Sequence, residues 1–403
     1  MSKPVVLVGA LDTKGAEFHF VRDLIAARGL ETILVDFGVM GDPPMRPDVT
    51  ADEVARAGGR SLAELRASHD KTLAMETMAA GLAKVVKDLH DAGRLGGILG
   101  MAGSGGTSIA ARAMRGLPIG VPKVMASTVG GGDVSAYVGT SDVTMMPTVV
   151  DVAGINSISR QIYANAAGAI AGMVSQELPA VAEAKPLITA SMFGNTTQCV
   201  SRAQKGLEAE GYEVLVFHAT GNGGRTMESL IDSGFITASL DLTTTELADY
   251  VCGGVMSAGP ERMLAAARAG IPTVLAPGCV DMCNFWGIET VPPQYRDRNL
   301  YQWNPNVTLM RTTVDENIRM GQLIAAAANA ATGPVAILLP LKGVSQLDSP
   351  GGMYWDPAAD AACYDTIKAN INPGIPVIEL DHNINDPEFA DKAAELLLGM
   401  LRK

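Results

Sequence analysis

The feature that most constrains this chain is a recurring three-part pattern: a short, wholly apolar run, a glycine-containing turn, then a segment whose apolar residues recur at helical spacing. Residues 5–8 form the first such run, residues 9–15 the turn, and Phe18, Val21, Leu24 and Ile25 the apolar face of a helix that stops at Gly29 before a second run at 32–37. Apolar runs without alternation belong to strands buried on both faces, and a helix joining two of them makes the right-handed parallel crossover. The opening 37 residues are therefore predicted to be one βαβ unit.

The pattern continues and then restarts. After a polar, proline-containing loop at 42–48 and helices to about Ala92, a strand at 97–99 enters a glycine turn at 100–107 that opens a helix at Ile109. A strand at 123–126 ends in Ser127, Thr128, Val129 and three glycines. From residue 186 the order begins again: strand 187–191, turn 192–197, helix 200–210, Gly211, and strand 213–217 ending at His218. Residues 250–256, followed by a helix from Pro260, are read as the counterpart of 96–101. Further strands are predicted at 273–276, 335–339 and 377–380, with helices at 321–331 and 387–401.

The fold expected is α/β, with two doubly wound, mostly parallel Rossmann-like domains and an inter-domain cleft. The nucleotide-binding domain would span 1–180 and the substrate-side domain 186–403, with a joint near 177–185. Composition agrees: 44 glycines and 5% aromatic residues in 403 suit many strand-to-helix turns. At 47% hydrophobic and 18% charged, a largely disordered chain is excluded. A net charge of −12 argues against nucleic acid or anionic lipid as a general partner. Five cysteines read as reduced thiols, with Cys279 and Cys283 as buried small hydrophobes rather than zinc ligands. The apolar stretch after Pro4 is short and meets Asp12 and Lys14, so neither a signal peptide nor a membrane span is expected, and a cytoplasmic protein is.

Ligands of open parallel sheets bind beyond the carboxyl ends of the strands. There, Gly103, Ser104, Gly105, Gly106 and Thr107 could turn successive amides toward a phosphate, with two hydroxyls beside them at the positive end of a helix. No Gly-Lys-Ser/Thr closes the segment, so it is not a P-loop, and a plain glycine turn is the competing reading. Gly9, Asp12, Thr13 and Lys14, together with Ser127 and Thr128, join the same candidate nucleotide site. Lys14 would neutralise phosphate, and Asp142 or Asp12 would hold Mg²⁺; each alone also reads as a capping or solvated residue.

In the second domain, the turn from His218 to Arg225 offers amides and one guanidinium to a small anion. His218, Arg225 and Glu246 are the candidate catalytic residues, with His382 a further proton-transfer candidate. Thr243 and Glu246 read equally as a helix capping box. A stripe of Ala164, Ala167 and Ala171 on the helix after Gly154 would pack internally or across a dimer.

These motifs together carry a resemblance. Residues 8–15, 103–107, 137–142 and 149–160, then 216–221, 242–246, 310–313, 341–345 and 382–386, resemble the ATP-binding domain family named after the tomato mosaic virus resistance protein, over essentially the whole chain. The resemblance implies two α/β domains, an ATP site in the amino-terminal one and a tendency to dimerise. In the plant relative this region binds a viral replication protein and blocks RNA replication, and a TIM-barrel domain follows; neither the barrel nor the antiviral role is expected here. The function expected is that of a cytoplasmic, homodimeric or larger ATP- and Mg²⁺-binding protein, an ATP-dependent enzyme of phosphoryl transfer or ligation on a small anionic metabolite. The alternative is a nucleotide-responsive regulatory protein without turnover.

Overall fold

The structure, a computed structural model, describes residues 3–177 and 184–402. The chain divides into two compact units, Met1–Ala180 and Val181–Lys403. Most of the expected joint at 177–185 lies outside the described residues.

In the first unit, strands β1 (Val5–Gly9), β2 (Thr32–Asp36), β3 (Gly97–Ala102), β4 (Lys123–Ser127) and β5 (Thr144–Pro147) form one parallel sheet in the order β2-β1-β3-β4-β5. Both faces are covered, which is why β1 and β3 are apolar or small at every position. Phe18, Val21 and Ile25 of the Leu11–Ala26 helix pack on one face with Tyr163, Ala167 and Ile170 of the Ser157–Ser175 helix. Ala167 and Ala171 are thus internal contacts. The other face carries Met78, Leu82 and Val86 from Lys71–Asp91, and Ile109, Ala113 and Met114 from Ser104–Arg115. Strand order reverses between β1 and β3, so the crevice of the first sheet opens beside Gly9 and Gly103.

The second unit is built on β6 (Leu187–Met192), β7 (Glu213–His218), β8 (Ile236–Thr243), β9 (Thr273–Gly278), β10 (Met282–Phe285), β11 (Leu300–Asn304), β12 (Val307–Arg311), β13 (Val335–Pro340) and β14 (Val377–Leu380). Six of these form a parallel sheet in the order β14-β13-β9-β8-β6-β7, with its reversal between β6 and β8. Inserted after β9, the antiparallel sheet β10-β12-β11 lies outside the expected pattern.

Two expectations are corrected here. Residues 250–256 do not repeat the strand at 96–101: Thr245–Cys252 is a helix, and the strand is Ile236–Thr243. Its Ser239, Asp241 and Thr243 are polar yet buried, which hid it from a search for apolar runs. The capping box between Thr243 and Glu246 does not form either, because Thr244 occupies the cap position and the Thr243 hydroxyl pairs with that of Thr196 at 2.8 Å.

Candidate functional site

The glycine turn at 103–107 is part of a helix. Ser104–Arg115 begins directly at the end of β3, with Gly103 in extended conformation at its cap position and no side chain capping it. The first helical turn is therefore Ser104, Gly105 and Gly106, whose amides have no carbonyl one turn earlier to bond. Two glycines keep the approach open: a Cβ on Gly105 would touch only Met75 Cε, at 3.6 Å, and one on Gly103 only Thr128 Oγ1, at 3.8 Å. A polar hollow of about 430 Å³ stands here, lined by Gly103, Ser104, Thr128, Val149, Val150 and Asp151. On the flank of the same helix lies a larger cavity of about 770 Å³, walled by Val39, Leu65, Met75, Met78 and Ile109, with Arg66, His69 and Lys71 at its rim.

Other members of the expected set are engaged by the protein itself. Thr107 is buried, its hydroxyl bonded to Gly103 O at 2.9 Å and Ser127 Oγ at 2.6 Å, so these two side chains brace the turn from beneath. At the β1 turn, the carboxylate of Asp36 accepts from Leu11 N at 3.0 Å and Gly38 N at 2.8 Å. Burial raises its pKa, while those two amides act in the opposite direction. The Leu11–Ala26 helix thus already holds an anion of the chain at its start. Asp12 accepts from Met40 N and Gly41 N and ties down the 38–41 loop, Thr13 is exposed, and Lys14 donates to Val152 O. Gly9 is buried with Phe18 packed against it, so this turn serves to bring strand and helix together.

Asp142 is a scaffold residue. It pairs with the fully buried Lys123 at 2.6 Å and accepts from Gly120 N at 2.8 Å. Burial pushes its pKa up, but Lys123 and the Gly120 amide outweigh burial and leave it below the ordinary value. A carboxylate so held does not fit an Mg²⁺ ligand, and among the described residues no group of three or more His, Cys, Asp or Glu side chains is arranged to hold a metal. The acid that lines the hollow is Asp151, which sequence reasoning passed over although it lies inside the 149–160 motif.

The second unit repeats the self-capping arrangement. Glu246, fully buried, accepts from Gly221 N at 2.6 Å and Gly224 N at 3.1 Å at the start of the Asn222–Asp232 helix, and from Arg262 Nε at 2.6 Å. Its side chain is thus occupied, and the expected anion cradle at 218–225 holds Glu246 instead. Arg225 is exposed and donates to Ser257 O and Asn222 Oδ1. His218 lies against Phe193, with ring centroids 5.3 Å apart, and burial lowers its pKa while Glu246 opposes that shift. His382 sits apart, 3.4 Å from Asp386. All five cysteines are buried and unpaired, and Cys279 and Cys283 belong to apolar clusters.

Residues 3–179 match the N-terminal domain, and residues 185–401 the C-terminal domain, of the uncharacterised protein family UPF0261. The chain belongs to the UPF0261 family. A UPF0261 protein of Clostridium tetani is 49% identical over 404 residues, covering 100% of both chains. The tomato (Solanum lycopersicum) ToMV resistance protein Tm-1(GCR237) is 43% identical over 338 residues, covering 82% of this chain and 45% of its own. Among solved structures, a putative UDP-N-acetylglucosamine 2-epimerase from Listeria monocytogenes aligns over 68% of this chain and 79% of its own, with 8% identity and a TM-score of 0.25. No described helix of this UPF0261 chain is long and apolar enough to cross a membrane.

Proposed function

We propose that this UPF0261 protein binds ATP through its N-terminal unit, with the phosphates against the amides of Ser104, Gly105 and Gly106. One contrast carries the reading. The helices starting at Leu11 and Asn222 have their amino ends filled by Asp36 and Glu246, whereas the helix starting at Ser104 ends on glycines and an open hollow at the reversal point of its sheet. An uncapped amino end carries about half a positive charge and directed N–H donors, which suits a phosphate.

The methionine-lined cavity beside Gly105 offers apolar room for the base. Thr128 supplies a hydroxyl, and Asp151 is the carboxylate at hand for an Mg²⁺ arriving with the nucleotide. We read the protein as a cytoplasmic, ATP-dependent enzyme of phosphoryl transfer or ligation, with Arg225 the exposed guanidinium open to a small anionic metabolite and a homodimer as its working form. The second reading, a nucleotide-responsive protein without turnover, draws support from Glu246, whose carboxylate is engaged on every side.

Gly105→Asp tests the phosphate placement. The new carboxylate suits the amino end of a helix and meets only the flexible end of Met75, so the fold stays intact. ATP affinity by calorimetry falls at least roughly tenfold, because a fixed negative charge takes the place of the phosphate. Equal ATP binding by wild type and variant would reject the site. Release of ADP, AMP or phosphate on adding metabolite mixtures favours the enzyme, and tight binding without any release favours the regulatory protein.

A further inference from the structure

A second hollow, of about 100 Å³, stands at the carboxyl edge of the second unit's sheet, lined by Phe193, Gly194, Asn195, His218, Trp303, Val307 and Leu309. Its floor is the turn after β6, one of the two strands at the reversal point of that sheet, and its roof is the β11–β12 hairpin. The ladder of that hairpin shifts register between Gln302 and Asn304, which makes Trp303 the residue of a β-bulge. Bulges of this kind re-aim a side chain beside a site. The Trp303 indole is 44% exposed, its Cζ2 lies 3.9 Å from where a Cβ on Gly194 would stand, and Tyr301 meets it edge-on at 6.2 Å.

Nothing in this lining is a carboxylate, an ammonium or a guanidinium, and the walls are the rings of Phe193, His218 and Trp303 with two aliphatic side chains. One polar group is left over. Asn195 is 2% exposed, its Nδ2 reaches only the thioether of Met282 at 3.4 Å, and its Oδ1 has no partner among the described residues. A buried amide oxygen without a donor is costly, and it gains about one hydrogen bond from any ligand that brings an N–H to it.

We infer that this hollow binds an uncharged heteroaromatic ring, stacked against Trp303 and donating an edge N–H to Asn195 Oδ1. An enclosed space on the order of 150 Å³ holds a whole benzene ring, so a hollow of about 100 Å³ takes a single ring inserted by one edge, with the rest of it against the half-exposed Trp303. Ring faces favour offset or edge contacts with other rings, which the tilted Phe193 and His218 pair and the re-aimed indole both offer. A charged ligand would lose its hydration here with no counter-ion to replace it.

The test uses the full chain carrying Trp286→Phe and Trp355→Phe, which leaves Trp303 as its only tryptophan. Uracil, the probe, quenches Trp303 fluorescence saturably. 1,3-Dimethyluracil, which keeps the ring but lacks N–H, and orotate, which adds a carboxylate, bind at least roughly tenfold more weakly. Trp303→Ala, a change at a half-exposed position, removes the uracil signal in ligand-observed NMR, while Gly105→Asp leaves it unchanged, so this site and the nucleotide site fail separately. Linear, non-saturating quenching, or equal affinity for uracil and its dimethyl derivative, would overturn the assignment.

Discussion

Arg262 grips both carboxylate oxygens of Asp241, Nη1 to Oδ2 at 2.6 Å and Nη2 to Oδ1 at 2.7 Å, with neither residue more than 3% exposed. The same guanidinium bonds Glu246 through Nε and Glu228 through Nη1, and Ser191 completes the shell of Asp241 at 2.6 Å. One cation thus compensates three acids from the β8 strand and two helices, and it fixes Glu246 at the start of the Asn222–Asp232 helix.

Removing that cation leaves buried carboxylates without their partner, a change that costs about 3–5 kcal/mol in comparable sites. Arg262→Met keeps most of the volume and none of the charge. Its unfolding free energy in a urea titration should fall by about that amount. A loss below about 1 kcal/mol would mean that the acids take up protons at little cost.

A second buried group has the same ratio, one arginine among three acids, but here burial raises all three carboxyls. Asp281, Asp348 and Asp360 surround Arg311, which reaches Asp360 at 2.9 Å and Asp348 at 3.7 Å. Burial pushes Asp281 up to about 7 and Asp360 up to about 9, each also raised by the neighbouring Asp348 charge, while Arg311 opposes the shift. With folded values above the unfolded one near 3.8, the folded protein binds more protons than the unfolded chain between about pH 4 and about pH 9. Stability from these groups is greatest at the acidic end of that window and declines as pH rises through it. Thermal melts should show a falling midpoint from pH 6 to pH 9, and Asp360→Asn should flatten the upper part of the slope; a wild-type midpoint that climbs over this range would refute the assignment.

How much of this was legible beforehand follows from how each signal arises. Strands such as Val5–Gly9 and Val335–Pro340 announce themselves because burial on both faces demands continuous apolar residues. Helix Pro387–Leu401 agrees with expectation at both ends, since proline at the first turn marks its start. Strand Ile236–Thr243 was not legible, because its polar side chains are buried in pairings with Thr189, Ser191, Thr196 and Arg262 that only the fold creates. At the candidate sites, glycine turns marked where helices begin, yet which of them stays open is decided by Asp36 and Glu246, residues 25 positions away from the amides they fill at Leu11 and Gly221. No local spacing carries that information. Trp303 escaped for the same reason, since its direction depends on a bulge in the pairing with β12.

The cysteines offer a simple check on the core. All five are buried, and burial raises the Cys199 and Cys363 thiols well above their ordinary range, acting alone on Cys199. For Cys363 the charge of Asp360 adds to the effect. Buried thiols of raised pKa expose little thiolate to a reagent. Native protein should therefore react with less than about one equivalent of a thiol-specific disulfide reagent over an hour, and with all five after guanidinium unfolding. Rapid labelling of any one in the native state would contradict its packing.

Val149 adopts φ +63°, a left-handed conformation that a β-branched side chain rarely takes, and it does so 79% exposed on the rim of the candidate phosphate hollow. It is the centre of a three-residue turn closed by Val150 N donating to Thr148 O at 2.6 Å, while the Thr148 hydroxyl holds Val150 O at 2.7 Å. Little side-chain packing repays the strain, which is about 1–2 kcal/mol for such a residue. Val149→Gly removes it, and the extra freedom of glycine in the unfolded chain returns about 0.5–1 kcal/mol of that gain. The variant should therefore be more stable than the wild type by up to about 1.5 kcal/mol in a denaturant titration. The rim that carries Val150 and Asp151 is then less tightly held, so ATP affinity should fall in the variant even as stability rises. A protein that loses stability on this exchange would show that the valine side chain is packed where the structure leaves it open.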